Sequence, residues 1–151
     1  MISVAEAVAA ISSGFTPLST ERIGLTDALG RVLAEDVVAR LDSPFADVSA
    51  MDGYAVRAAD VANVPATLTQ IGESAAGLAF QGSIGPGQCT RIFTGAPVPE
   101  GADAIVIQED TTARDDAITM NEAAKAGRWV RRKGMDFAQG DVLLSARTVL
   151  T

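Results

Sequence analysis

The sequence contains no histidine and a single cysteine, Cys89. Without histidine the chain lacks the usual general base near neutral pH and the commonest transition-metal ligand. A histidine-dependent catalytic triad is thereby excluded. A lone cysteine makes neither an internal disulfide nor a thiolate metal cluster, and Cys89 lies in an apolar, strand-like run that reads as a buried, inert thiol. Aromatic residues are only 5% of the chain, so the core must be built from Ala, Val, Leu and Ile. Positive charge is also scarce: 12 Lys and Arg stand against 19 Asp and Glu, for a net charge of −7. Such a surface repels phosphate backbones and argues against nucleic acid as a partner. The one basic run, Arg128 to Lys133, is interrupted by Trp129 and Val130. It reads as a strand with solvated charges and only weakly as an anion site.

Long apolar runs are missing too. No segment approaches the length of a membrane-spanning helix, so no membrane partner is expected. The opening Met1-Ile2-Ser3-Val4-Ala5-Glu6 has neither the basic region nor the apolar run of a secretory signal. The phosphate-loop and dinucleotide-binding glycine patterns are absent. An acidic chain without disulfides fits the reducing cytoplasm.

What is present is a chain of 151 residues, 48% hydrophobic. That is long enough for one domain or two small ones and for a core stable without crosslinks. Ser3 with Glu6 forms a capping box, and Val4, Ala7, Val8 and Ile11 recur at helical spacing. An amphipathic helix is predicted over residues 4–13, with Gly14 as its left-handed terminator and Pro17 barring continuation. A shorter helical segment, Leu25 to Gly30, has Thr26 as its cap and Gly30 as its end. Residues 31–40 read as extended.

After Pro44 the character changes. Short β-prone runs at 54–56, 67–71, 89–93, 104–107 and 117–120 alternate with Gly, Pro, Asn and Asp turns, the pattern of a small barrel or sandwich. Longer strand signals return at Trp129–Arg132 and Asp141–Leu144. The fold class read from this is α+β, mainly β. A helix-and-strand domain would be interrupted by an inserted small β-barrel or sandwich. The last residues, Thr148-Val149-Leu150-Thr151, stop without a polar tail and read as a boundary inside a longer gene.

Three segments combine a carboxylate or hydroxyl with residues that fix the backbone. In Ser49-Ala50-Met51-Asp52-Gly53-Tyr54-Ala55, a turn at Gly53 would project Asp52 from the start of a strand, where it could bind Mg²⁺ or accept a proton. The plainer reading is a turn closing a hairpin. In Ile92-Phe93-Thr94-Gly95-Ala96-Pro97-Val98-Pro99, Gly95 allows close backbone approach and would offer its N–H to an oxyanion. Pro97 and Pro99 stiffen the loop, and a rigid surface turn is the alternative. In Gly134-Met135-Asp136-Phe137, Asp136 would sit on a turn between strands with Phe137 tucked inward. The acidic Gln108-Glu109-Asp110 ends an apolar run; it faces solvent or completes a metal cluster with Asp52.

These segments carry a resemblance. Residues 43–56 resemble the signature PPFDNSAMDGYAV of the molybdopterin molybdenumtransferase family (MoeA and the related gephyrin E domain). Residues 91–106 resemble its RIFTGAPVPEGADAVV, and residues 134–143 its GEDF…GDVLL. The motifs stand in the family's order, and the likeness covers essentially the whole chain. It implies a linker domain at 1–44 and 130–151, split by a β-rich insert at 45–129, with the C-terminal pterin-binding domains absent. It implies a homodimer. It also implies insertion of molybdate into adenylylated molybdopterin with release of AMP and support from Mg²⁺. A molybdopterin-adenylylating protein and cofactor-delivery proteins are the expected partners.

By the same resemblance the catalytic residues are Asp52, Thr94 and Asp136, with Glu109 a weaker fourth, and Ser49 and Gly95 bind substrate. Asp52 and Asp136 would orient the metal, and Thr94 with the Gly95 N–H would position an oxyanion. Val48 and Ala46 depart from frequent Asn and Asp, which would loosen polar contacts beside Asp52. Arg147 replaces a frequent Gly at a turn. The competing reading is a non-catalytic dimerisation or partner-binding module of the gephyrin kind.

Overall fold

The computed structural model describes residues 2–16 and 18–151. Met1 and Pro17, the latter expected to bar helix continuation, lie outside the described residues. The fold is α+β and mainly β. Contacts divide the chain into two compact units, one of Met1–Val37 with Leu144–Thr151 and the other of Val38–Leu143.

The first unit opens with α1 (Val4–Ser13), the one α-helix among the described residues. The Ser3 hydroxyl accepts the Glu6 N–H at 3.2 Å and the Glu6 carboxylate accepts the Ser3 N–H at 2.7 Å. This reciprocal box satisfies donors that the first helical turn leaves without partners. Gly14 follows in right-handed conformation, φ −80°, and not in the left-handed one expected. Its N–H reaches back to Ile11 O and Ser12 O, closing the helix with a tightened last turn.

The second helical signal shrinks to a 3₁₀ turn, Leu25–Asp27, entered from Gly24 without any side-chain cap. Thr26 is therefore inside the turn and not its cap. It ends at Ala28, φ −84°, and not at Gly30, which lies two residues further on at φ +74°. Residues 31–33 then pair with 147–150: Leu33 N–H donates to Thr148 O at 2.9 Å and Leu150 N–H to Arg31 O at 2.9 Å. Arg147 adopts φ +72°, the left-handed turn geometry that glycine fills without strain. No described residue of this unit is buried, and Val4, Val8 and Ile11 on α1 are all exposed.

The chain passes between the units within β1 (Val37–Val38) and β10 (Val142–Leu144). The second unit holds β2 (Val48–Ser49), β3 (Gly53–Val56), β4 (Ala66–Ser74), β5 (Gln88–Ile92), β6 (Ala104–Ile107), β7 (Thr111–Arg114), β8 (Ala117–Met120) and β9 (Val130–Arg131). Six of these form a sheet in the order β6-β3-β5-β4-β8-β7. The β4–β5 pair is parallel and the others are antiparallel. β2 and β9 make a separate antiparallel pair, Val48 opposite Arg131 and Ser49 opposite Val130.

Side chains alternate across the sheet, as the two-residue period of a strand requires. Tyr54, Val56, Cys89, Ala104 and Val106 enter one core with Leu68, Ile118 and Met120. Ala55, Ile92 and Ile105 enter a second with Ala96. β3 lies between β5 and β6 and is buried along its whole length, which explains its apolar composition. Cys89 is fully buried, and desolvation pushes its thiol up to about 12.

The break between the two units falls at 37/38 and 143/144. The cause lies in the pairing of residues 38–48 with 131–141. Ala39 N–H donates to Asp141 O at 2.8 Å and Ser43 N–H to Phe137 O at 2.9 Å. Asp47 pairs with Arg132 at 2.5 Å and Asp42 with Lys133 at 3.2 Å. Among the described residues, no helix is long and apolar enough to cross a membrane.

Candidate functional site

Asp52 closes the turn between β2 and β3, and Thr94 follows the end of β5. The antiparallel pairing of β3 with β5 sets Gly53 opposite Ile92, which carries the two segments to the same edge. There Asp52 Oδ1 accepts two hydrogen bonds from Thr94, one from the backbone N–H and one from the hydroxyl, each 2.8 Å. Its Oδ2 accepts none from the described residues. The Thr94 N–H, then the Thr94 hydroxyl, and more weakly the Arg91 charge hold the carboxyl below the usual carboxylate range. Asp52 is thus an ionised carboxylate with one oxygen fixed and the other open.

Gly53 is glycine for a reason other than a turn. A Cβ there would meet the Val106 carbonyl oxygen at 2.1 Å, so β3 lies too close to β6 for any side chain at this position. Gly95, at φ +81°, does provide the left-handed step after Thr94. Its N–H, however, donates to Ser49 O at 2.8 Å. The Thr94 and Ala96 N–H groups are likewise taken, by Asp52 and by Phe93 O at 2.9 Å. The expected oxyanion donor at Gly95 is therefore spent inside the fold.

Ser49 is buried, with its hydroxyl 2.5 Å from Met51 O, and it anchors the Asp52 turn from within. Val48 is buried as well, so an apolar residue suits that position.

Asp136 is not joined to this pair by any hydrogen bond. Both its oxygens accept from Arg131 Nη2, at 2.6 and 2.8 Å, and Oδ2 lies 3.3 Å from the Ser43 hydroxyl. The basic run is paired throughout: Arg128 with Glu122 at 2.7 Å, Arg131 with Asp136, Arg132 with Asp47 and Lys133 with Asp42. This leaves no unpaired cation there for an anion. The run contributes only two residues to a strand because Trp129 turns at φ +57°.

The acidic segment also divides. Gln108 turns to Arg91, Glu109 receives only a long 3.5 Å contact from Gln108, and Asp110 is drawn to Glu122, whose hydrogen bond raises its carboxyl above the ordinary value. Among the described residues no three His, Cys, Asp or Glu side chains are grouped to hold a metal ion, so of the two readings of this segment the metal cluster with Asp52 does not form.

Arg91 was not among the sequence candidates. Its guanidinium lies 5.2 Å from the centre of the Tyr54 ring and 4.8 Å from that of Phe93. Nη1 donates to Gly53 O at 3.1 Å and Nη2 to the Gln108 side-chain oxygen at 2.6 Å. The signal was a single charge inside the apolar run 89–93. A groove of about 490 Å³ also runs along the stiff loop, between residues 79–83 and 97–100.

Residues 2–151 match the family described as MoeA N-terminal region (domain I and II). The chain is 42% identical over 136 residues to a molybdopterin molybdenumtransferase of Haemophilus influenzae, covering 89% of this chain and 33% of that protein. It is 37% identical to the one of Bacillus subtilis, covering 99% of this chain and 37% of that protein. The fold is similar to a crystal structure of the molybdopterin biosynthesis moeA protein from Pyrococcus horikoshii, with a TM-score of 0.83 and 36% identity over 87% of this chain and 36% of that one. The chain thus spans about a third of the length of the relatives it matches.

Proposed function

The chain belongs to the MoeA family, as its N-terminal region, and from that premise we propose that it supplies one wall of a site inserting molybdate into adenylylated molybdopterin with release of AMP. The observation that carries this reading is the Asp52–Thr94 pair. Two signatures 42 residues apart in sequence meet through two 2.8 Å hydrogen bonds. A fixed, ionised carboxylate with one open oxygen orients donors on an incoming ligand or accepts a proton from it. Preorganisation of this kind lowers the cost of reaching the reactive geometry.

Mg²⁺ is the metal this reaction would use. Among the described residues no three acidic side chains are grouped to supply the several oxygens Mg²⁺ takes, and the Asp136 carboxylate is committed to Arg131. The donor set in this chain does not make a Mg²⁺ site by itself, and no step is derived through the ion. Asp136, with Ser43 and Arg131, tethers the third signature to the first. Its contribution to the reaction is positional on this reading.

A further observation favours assembly. Among its described residues the unit containing α1 exposes apolar side chains without burying any, a surface that monomeric proteins rarely leave uncovered. Homodimer formation and docking of the adenylylating or cofactor-delivery protein belong to this proposal, as does action in the cytoplasm.

The test is molybdate-dependent AMP release by the protein encoded by the entire reading frame. Asp52→Asn should lower kcat by about a hundredfold or more, the scale of losing a positioned acid–base group, with the circular dichroism spectrum unchanged. Ordinary turnover in that variant would remove Asp52 from the chemistry.

A further inference from the structure

Resting on that reading, we propose that Arg91 is the positioning residue of the Asp52–Thr94 pair, one guanidinium tying together the three segments that carry it. The first segment is the Asp52 turn, held through the Gly53 carbonyl at 3.1 Å. The second is the end of β5, where the Arg91 guanidinium lies over the ring of Phe93, the neighbour of Thr94. The third is the turn after β6. There Arg91 holds the Gln108 side chain at 2.6 Å, and the Gln108 N–H in turn donates to Asp52 O at 3.1 Å.

Arg91 is opposite Tyr54 in the β3–β5 register, and the Tyr54 ring covers it at 5.2 Å. No carboxylate among the described residues lies within 4.0 Å of it, so it is not engaged in an ordinary ion pair. A guanidinium suits this place and an ammonium does not. Two acceptors in different directions need a planar fork, and a flat cation stacks on rings where a compact one is free to turn.

The experiment compares Arg91→Lys and Arg91→Gln. In the isotopically labelled chain, the Asp52 carboxyl is titrated by carbon NMR and the Thr94 amide shift is followed. In the protein encoded by the entire reading frame, kcat and KM are measured for AMP release. Positioning predicts that both variants move the Asp52 titration up toward the ordinary carboxylate range and displace the Thr94 amide. Both should also lower kcat by about tenfold with KM little changed. Because Lys keeps the charge, its failure to rescue separates geometry from electrostatics.

Three results overturn the proposal: a Lys variant indistinguishable from wild type, a folded Gln variant with an unmoved Asp52 titration, or lowered thermal stability alone. Should Arg91→Gln fail to fold, Gln108→Ala removes one acceptor at an exposed position. It should shift the Asp52 titration in the same direction by a smaller amount, and an unmoved titration there also overturns the proposal. The NMR readout does not depend on turnover, so a failure of the catalytic reading is recognised separately.

Discussion

Asp52 draws its character from neighbours and not from burial. Two donors on Thr94 stabilise its charged form, so its folded pKa is depressed. The stability it lends the loop is therefore present above the ordinary carboxylate value and is lost as pH falls through the depressed one. Hydrogen exchange of the Thr94 amide should accelerate, relative to its intrinsic rate, only once the pH drops below the ordinary range; acceleration beginning near neutrality would contradict the assignment. Two other residues admit stability predictions. Gly53→Ala places a methyl against the Val106 carbonyl, and we expect a loss of about 3 kcal/mol by denaturant titration. A loss under 1 kcal/mol would mean β3 and β6 separate easily. Thr90 is fully buried, and its hydroxyl has no partner among the described residues. Thr90→Val should raise stability by about 1 kcal/mol, since it removes an unsatisfied polar group at nearly constant volume. A lower melting temperature would show that the hydroxyl is bonded.

At the scale of elements, alternation and turn residues made much of the insert readable. The runs at 54–56, 89–93, 104–107 and 117–120 became β3, β5, β6 and β8 with ends shifted by a residue or so, because half-buried strands impose a period of two. Legibility fell where local signals competed with long-range pairing. Residues 129–132 looked like a full strand, yet Trp129 turns with positive φ and only Val130–Arg131 pairs with β2. The helical signal at 25–30 narrowed to Leu25–Asp27, and Gly30, Arg31 and Leu33 bond instead with residues 148 and 150, which no local pattern encodes. Asp52 and Thr94 stood out by motif, but Arg91 and Gln108 became visible only when β3, β5 and β6 lay side by side. The Gly95 N–H illustrates the converse: a sequence shows a donor and not whether the fold has already used it.

The helix α1 is a separate case. Its ten residues fall short of the length at which an isolated helix is stable in water, and none is buried in the chain itself. Changing Val8 or Ile11 to Ser should alter the unfolding free energy of this chain by less than about 0.5 kcal/mol. The same changes should weaken self-association of the protein encoded by the entire reading frame, as read by sedimentation. A large destabilisation of the chain alone would place these side chains in a core.

At the scale of the whole molecule, this chain corresponds to about a third of the relatives it matches. One unit carries two cores and the Asp52–Thr94 pair, and the other carries apolar surface without a core among its described residues. On the proposed function, the first two signatures act as one chemical unit through the bonds between Asp52 and Thr94. A double-mutant cycle on kcat/KM for AMP release, with Asp52→Asn, Thr94→Val and the pair, measures that coupling directly. The double variant should be little worse than Asp52→Asn alone, a coupling of about 1.4 kcal/mol or more. Losses that simply add would show two independent residues and contradict it.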